Sequence, residues 1–365
     1  MNSRLSPRVP WPDRCAGALR TAFPFLGPGL AAVETRVLRA DVEAVPLESP
    51  VYICGLARAG STLLLEFLAE APGFASHVYG DFPLLWTPYW AHWLRAHTPK
   101  PKETPHERAN GDRIAVTRTS PEALEEPLWM EFFPGRHDPT VDQVLDANAY
   151  NETFTRFYSA HIRKLLLARG AGRYLAKGNY NVSRIGYLRH LFPDVRIVLT
   201  VRSPVAHVAS LLRQDRRFTA WSAADRSIAR QLARSGHFEF GPQKRAIAFG
   251  DTAEATRIQA CFDSGRTVEG YARQWAAVYD WLERTLSADA GLADCCHIVD
   301  YERLCAAPQS ELTALYKHLG VDPVLARRHA IEVVSPDYYS PDLTDGEQDM
   351  VRRLTAHVAF ASKKT

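Results

Sequence analysis

The segment GLARAGSTLL at 55–64 has the residue types and spacing of an anion-binding turn. An apolar run leads into it and an apolar helical run leaves it. Gly55 and Gly60 occupy the two glycine positions of a Walker loop, G-x-x-x-x-G-K-[ST], and Thr62 the last one. Ser61 stands where that loop carries lysine. The backbone amides of Ala59, Gly60, Ser61 and Thr62 can still cradle an oxyanion at the start of the next helix. Arg58 is the cation within the turn. A triphosphate enzyme is disfavoured, because the lysine that reaches the β- and γ-phosphates is missing and the apolar strand at 195–201 runs into Arg202 instead of a magnesium-holding aspartate. A plain structural turn is the alternative.

A second candidate is VRIVLTVRSPVAHVASLLRQ at 195–214. The strand leaves on Arg202. Ser203 is placed to cap the next helix and Pro204 to occupy its first position. Ser210 lies two turns into that helix, on a face it can share with the strand end. One guanidinium and one hydroxyl make a compact second anion site; a salt bridge beside a core-edge serine is the other reading. Lys177, in YLAKGN, and Asp300, in HIVD, also close short strands.

These positions need a scaffold that brings distant strand ends together. Apolar strands alternate with helical patterns: a helix over 152–169, a strand around 173–177, a helix over 183–191, the 195–201 strand, a helix to about 213, the long helix in TVEGYARQWAAVYDWLERTL, and the helix PQSELTALYKHLG ending at Gly320. That alternation predicts an α/β fold of three layers, P-loop-like, with a central parallel sheet flanked by helices and with inserted helical and loop cap segments. In such sheets ligands sit at the carboxyl ends of the strands, so all the candidates can share one rim. Residues 1–49 read as an irregular arm with one short helix around 31–39.

Composition sets wider bounds. The chain has 365 residues, 46% of them apolar and 23% charged, with a net charge of +3, so nothing in it demands a nucleic-acid partner. Of its 44 basic residues only 8 are lysine, a bias that suits a protein gripping oxyanions bidentately. Cysteines at 15, 54, 261, 295, 296 and 305 form no C-x-x-C pair and fit no zinc pattern; reduced thiols and a cytoplasmic location are expected. Arg20, Pro24 and Pro28 break the N-terminal apolar stretches, so no signal peptide is expected, and no segment reaches bilayer-spanning length.

Taken together, the segments resemble the sulfotransferase family that uses 3′-phosphoadenosine-5′-phosphosulfate (PAPS). GLARAGSTLL resembles its 5′-phosphosulfate loop and VRSPVAHVAS its 3′-phosphate motif, R-x-P-x5-S. HIVDYERLCAAPQSELTALYKHLGV is similar to its C-terminal strand and helix. The texture is closer to the bacterial and Golgi-like carbohydrate or tyrosyl branch. Ala57 and Ala59 depart from the proline and serine frequent in the loop.

The resemblance implies a domain over 50–330, with acceptor-side insertions at 76–150 and 215–265 and a C-terminal segment over 331–365. It implies PAPS as sulfuryl donor, a hydroxyl acceptor and no required metal. Arg58 takes the position of the catalytic cation. The amides of 59–62 and the hydroxyls of Ser61 and Thr62 would hold the phosphosulfate. Arg202 and Ser210 would hold the 3′-phosphate, and Lys177 would point at the transfer centre. Asp81 sits where the family's carboxylate base is expected, with His77, Glu125 and Glu126 as alternatives. Tyr271 would stack on adenine or pack in the core. The aromatic stretch 81–97, with Trp86, Tyr89, Trp90 and Trp93, reads as core packing or as an interfacial helix compatible with peripheral membrane contact. A glycan hydroxyl is the first expectation for the acceptor, ahead of a lipid-linked or small-metabolite hydroxyl and a phenol. A P-loop kinase and a non-catalytic nucleotide-binding protein are the competing functions.

Overall fold

The computed structural model describes residues 11–98, 105–107, 115–334 and 342–362. In chain order its strands are β1 (Val51–Cys54), β2 (Phe74–Ala75), β3 (His106–Glu107), β4 (Ala115–Val116), β5 (Arg173–Gly178), β6 (Arg196–Val201) and β7 (Cys296–Asp300). Five of them form one sheet in the order β2-β5-β1-β6-β7. Every neighbouring pair in it is parallel. β3 and β4 make a separate antiparallel pair.

Strand side chains alternate between two cores, as the pleat requires. Tyr52, Cys54, Ala176, Ile197 and Leu199 face the helices Glu152–Arg169 and Thr267–Ala288, where Tyr158, Ile162, Trp275 and Tyr279 are fully buried. Val51, Ile53, Leu175, Val198 and Val299 face the helices Ser61–Ala69 and Pro308–Leu319, meeting Leu64, Leu65, Leu312 and Leu315. Both faces of the sheet are thus covered, which is why its strands read as nearly unbroken apolar runs. The expected three-layer α/β architecture is present. No helix among the described residues is long and apolar enough to cross a membrane.

β1 lies between β5 and β6, and the chain crosses from one side of it to the other. That is a topological switch point, where the loops at the carboxyl ends part and leave a crevice. Cys54 is level with Gly178 of β5 and Leu199 of β6, so the segments following these three strands emerge side by side.

Two expectations on the elements need correction. The N-terminal region is not an arm with one helix: it holds the helices Trp11–Ala22, Leu26–Val37 and Arg39–Ala44. Pro28 falls in the first turn of the second of these, where a missing N–H costs little. Glu34 then turns inward: its Oε2 pairs with Lys164 Nζ at 2.9 Å, and its Oε1 accepts from the Trp90 amide at 2.7 Å. The helix after β6 runs as Pro204–Ala224, beyond the expected end near 213, because Phe218 and Ser222 continue its buried face.

Both Glu34 and Lys164 are at most 1% exposed, so removing one partner strands the other's charge. Lys164→Ala should destabilise the protein by about 3–5 kcal/mol, whereas Glu34→Leu combined with Lys164→Met should cost far less. Urea unfolding of the single and double variants checks this; equal losses in both would disprove the coupling.

Candidate active site

The loop after β1 reverses direction through positive φ at Gly55 (141°), Arg58 (77°) and Gly60 (90°). Two of these positions admit only glycine for a second reason. A Cβ on Gly55 would lie 2.4 Å from Thr200 Oγ1, and one on Gly60 would lie 2.6 Å from the Tyr301 ring. The close approach brings the loop's backbone against β6 and the end of β7, and the helix Ser61–Ala69 begins at once. Ser61 and Thr62, in its first turn, are 4% and 8% exposed. The amino end of this helix presents N–H groups that have no intrahelical acceptor.

The ammonium absent from the loop is supplied from the neighbouring strand. Lys177, near the end of β5, donates from Nζ to Thr62 Oγ1 at 3.0 Å. A cation therefore stands at the first turn of the loop helix although Ser61 occupies the usual lysine position.

The segment after β6 fastens the loop from the other side. Thr200 Oγ1 donates to the Cys54 carbonyl at 3.1 Å, and His207 Nε2 donates to that of Ala57 at 2.8 Å. Arg202 donates to the carbonyl of Arg58 at 3.2 Å. Arg58 Nε in turn donates to Ser210 Oγ at 3.4 Å. Burial pushes the His207 pKa down to about 3, so its ring stays neutral and the Nε2–H is a fixed donor. Arg58, Arg202 and Ser210, expected to belong to two anion sites, are thus joined by direct contacts, and Lys177 joins Thr62 beside them.

Arg202 is placed by residues to which the sequence reading assigned no role. Its guanidinium lies over the Tyr301 ring at 4.9 Å, its Nε is 3.9 Å from Glu302 Oε1, and its carbonyl accepts from Trp275 Nε1 at 3.2 Å. Glu302 Oε2 accepts from the Ser203 amide at 2.9 Å. The hydroxyl of Ser203 makes no cap bond, contrary to expectation. The signal for Tyr301 and Glu302 was present in HIVDYERL, where an aromatic and a carboxylate directly follow a strand end on the same rim.

Asp81 needs the largest correction. It is fully buried. Arg169 donates to both its oxygens at 3.0 and 2.8 Å, and Arg95 donates to Oδ1. Its Oδ2 also meets the Val78 amide at 2.9 Å and His77 Nδ1 at 3.1 Å. Burial alone would raise its pKa; His77, Arg169 and Arg95 override that and hold the carboxylate well below the usual range. Arg169 ends the helix Glu152–Arg169 just before β5, so the cluster ties that helix to the segment that follows β2. Asp81 anchors a core and has no lone pair turned to a substrate.

The alternative bases are also internal. His77 is 2% exposed and lies between Asp81 and His161. Glu125 is 5% exposed and accepts from Tyr158 and Tyr174; burial raises its pKa. Glu126 accepts from Arg184 at 2.6 and 2.8 Å and lies 2.7 Å from His137. Burial opposes its charge, but Arg184 and His137 bring its pKa down to about 2. Tyr271 takes the packing role: 3% exposed, it sits 5.1 Å from the Phe262 ring and its Oη donates to the Glu239 carbonyl at 2.9 Å. No open ring face remains for adenine. In the aromatic stretch Trp86 is buried at 6%, while Trp93 is 53% exposed.

Lys177, Arg58 and Arg202 thus gather beside the glycine-bent loop at the carboxyl rim of a parallel sheet, and a sequence profile of the sulfotransferase family matches residues 50–258. The chain belongs to the sulfotransferase family. No curated protein sequence matches it. Among solved structures it is similar to the sulfotransferase STF1 of Mycobacterium tuberculosis H37Rv, at 17% identity over 90% of this chain and 81% of that one, with a TM-score of 0.44. It is also similar to the sulfotransferase STF9 of Mycobacterium avium, at 14% identity over 88% and 79%, TM-score 0.48. A sulfotransferase of Alicyclobacillus acidocaldarius matches at 14% identity over 86% and 94%, TM-score 0.39.

Asp81→Asn should destabilise the fold by about 3 kcal/mol by leaving two arginines without their shared anion. The linkage sign is that of a depressed carboxylate. Its stabilisation is full above the unfolded pKa of ~3.9 and fades as the pH falls through the lower folded value. Thermal unfolding from pH 7 to pH 2 should show an acid-induced loss that is smaller in Asp81→Asn than in wild type. Gly60→Ala, by contrast, should disturb the loop, lowering the melting temperature and abolishing anion binding measured by calorimetry.

Proposed function

We propose that this protein transfers the sulfuryl group of PAPS to an acceptor hydroxyl of a glycan, a lipid-linked sugar or a small metabolite. The observation that carries the reading is the direct linkage of the two loops: Arg58 bonds to Ser210 and Arg202 bonds to Arg58. A nucleotide with phosphate groups at both its 5′ and 3′ positions has the charge distribution that such a paired site fits.

In this reading the amides of 59–62 and the hydroxyls of Ser61 and Thr62 hold the 5′-phosphosulfate, and Arg202 with Ser210 holds the 3′-phosphate. The acceptor oxygen forms a bond to sulfur while the sulfur–oxygen bond to the 5′-phosphate breaks. The electron pair leaves with the phosphate oxygen. Negative charge grows there, and fixed cations and amides beside it lower the barrier. Arg58 lies within the loop and Lys177 reaches it through Thr62, and these two are the cations assigned to that charge. Neither role needs a lysine at position 61. The six cysteines, none of them in a disulfide, fit an enzyme working in a reducing compartment.

A thermal-shift comparison tests the donor assignment. Adenosine 3′,5′-bisphosphate should raise the melting temperature without magnesium, and by more than ADP or ATP. Arg58→Ala and Arg202→Ala should each lose about 1.5–3 kcal/mol of that binding, roughly tenfold or more in Kd. A larger response to Mg-ATP would instead identify a phosphotransferase. Equal responses to the bisphosphate and ADP would remove the case for a 3′-phosphate site.

A further inference from the structure

All four candidate bases from 76–150 are engaged in ion pairs or hydrogen bonds, so another residue must take the acceptor's proton. One other titratable pair reaches the rim beside Lys177. His237 and Glu239 lie just after the helix Arg226–Arg234, in the 215–265 segment. His237 Nδ1 stands 3.4 Å from Glu239 Oε2, and the two side chains are 38% and 8% exposed. Glu239 Oε1 accepts from Asn179 Nδ2 at 2.6 Å. Asn179 follows the last residue of β5, two positions beyond Lys177. The backbone around the pair is fastened as well: Phe238 N donates to Tyr180 Oη at 3.1 Å, and Tyr271 Oη donates to the Glu239 carbonyl at 2.9 Å.

The carboxylate is incompletely satisfied. Glu239 Oε2 is buried and has no hydrogen-bond partner among the described residues; only the approach of His237 Nδ1 addresses it. A buried acceptor in this state is costly; it favours the tautomer whose Nδ1 proton is turned toward it, and it stabilises the positive charge of the imidazolium formed when Nε2 takes a second proton. With Nδ1 held toward Glu239, Nε2 is the nitrogen left to take a proton from outside.

We infer that His237 is the catalytic base that accepts the proton of the acceptor hydroxyl, and that Glu239, held by Asn179, is the residue that positions it. The inference rests on the sulfuryl-transfer reading above. As the acceptor oxygen bonds to sulfur, its proton passes to His237 Nε2, and the bond from sulfur to the 5′-phosphate oxygen releases its electron pair to that phosphate. The imidazolium is balanced by Glu239 and later gives its proton to water. The charged groups facing His237 are Glu239 on its own segment, Glu122 on the segment before the helix Glu126–Phe132, and Lys177 on β5. Burial lowers the affinity of His237 for a proton; Glu239 and then Glu122 raise it, Lys177 opposes them, and the net pKa lies above the ordinary value. The rate must therefore rise with pH as His237 becomes neutral.

The test uses the full chain with 35S-labelled PAPS and a panel of 4-methylumbelliferone, octyl glucoside and dextran, with water as the default acceptor. His237→Gln should lower kcat by about 100-fold or more while leaving the melting shift with adenosine 3′,5′-bisphosphate intact. Glu239→Gln should move the rising limb of the pH–rate profile to lower pH, an effect that loss of a merely structural ion pair would not produce. Histidine-selective NMR adds a readout independent of turnover: the His237 signal should titrate above ~6.5 in wild type and lower in Glu239→Gln. Turnover by His237→Gln within about threefold of wild type would overturn the base assignment, and a His237 titration indifferent to Glu239 would overturn the positioning role of that carboxylate. Absence of a bisphosphate shift in wild type would overturn the donor reading itself and this inference with it, which separates the two failures.

Discussion

A loop forced into left-handed backbone geometry cannot satisfy its own carbonyls, and the rest of this site depends on what satisfies them. Cys54, Ala57 and Arg58 turn their carbonyls toward β6 and the helix after it, where Thr200, His207 and Arg202 donate. Buried backbone acceptors left without donors would each cost on the order of 1–3 kcal/mol. The three donors therefore hold the loop in a strained form that no local propensity would maintain. The left-handed conformation of Arg58 adds roughly 1–3 kcal/mol of strain that the surrounding contacts must offset.

The same contacts that stabilise the loop also arrange its charges. Arg202 carries three partners at once: the Arg58 carbonyl, the Tyr301 ring and the Glu302 carboxylate. Its guanidinium is thereby fixed before any anion arrives, so little ordering entropy remains to be lost on binding. Lys177 is tied to Thr62 in the same way. The sheet makes this arrangement available because β1, between β5 and β6, lets its loop be approached from both neighbours.

The segments 76–150 and 215–265 divide the remaining work unequally. Asp81, His77 and Glu125 are buried polar residues, and Glu126 is largely covered; their partners come from the helix Glu152–Arg169, from β5 and from Arg184. The 215–265 segment instead bends back to the end of β5 through the Asn179–Glu239 bond. Chemistry that needs an accessible titratable group is favoured in the second segment, where His237 is 38% exposed.

The amino-acid sequence by itself determined the layered α/β architecture and the glycine-bent turn between β1 and the helix that follows it. These depend on short-range patterns: apolar strands that alternate with helices, and glycines at set offsets. It also marked Lys177 as a strand-end cation. Tertiary structure alone decided which charges meet. Asp81 and His237 are both polar residues beside aromatic ones, and nothing local distinguishes them. Two arginines from separate helices enclose Asp81, while a strand end more than fifty residues away holds the partner of His237. Burial and ion pairing are long-range properties, set by how helices pack on a sheet, so the proton-handling residues stay hidden until the chain is folded.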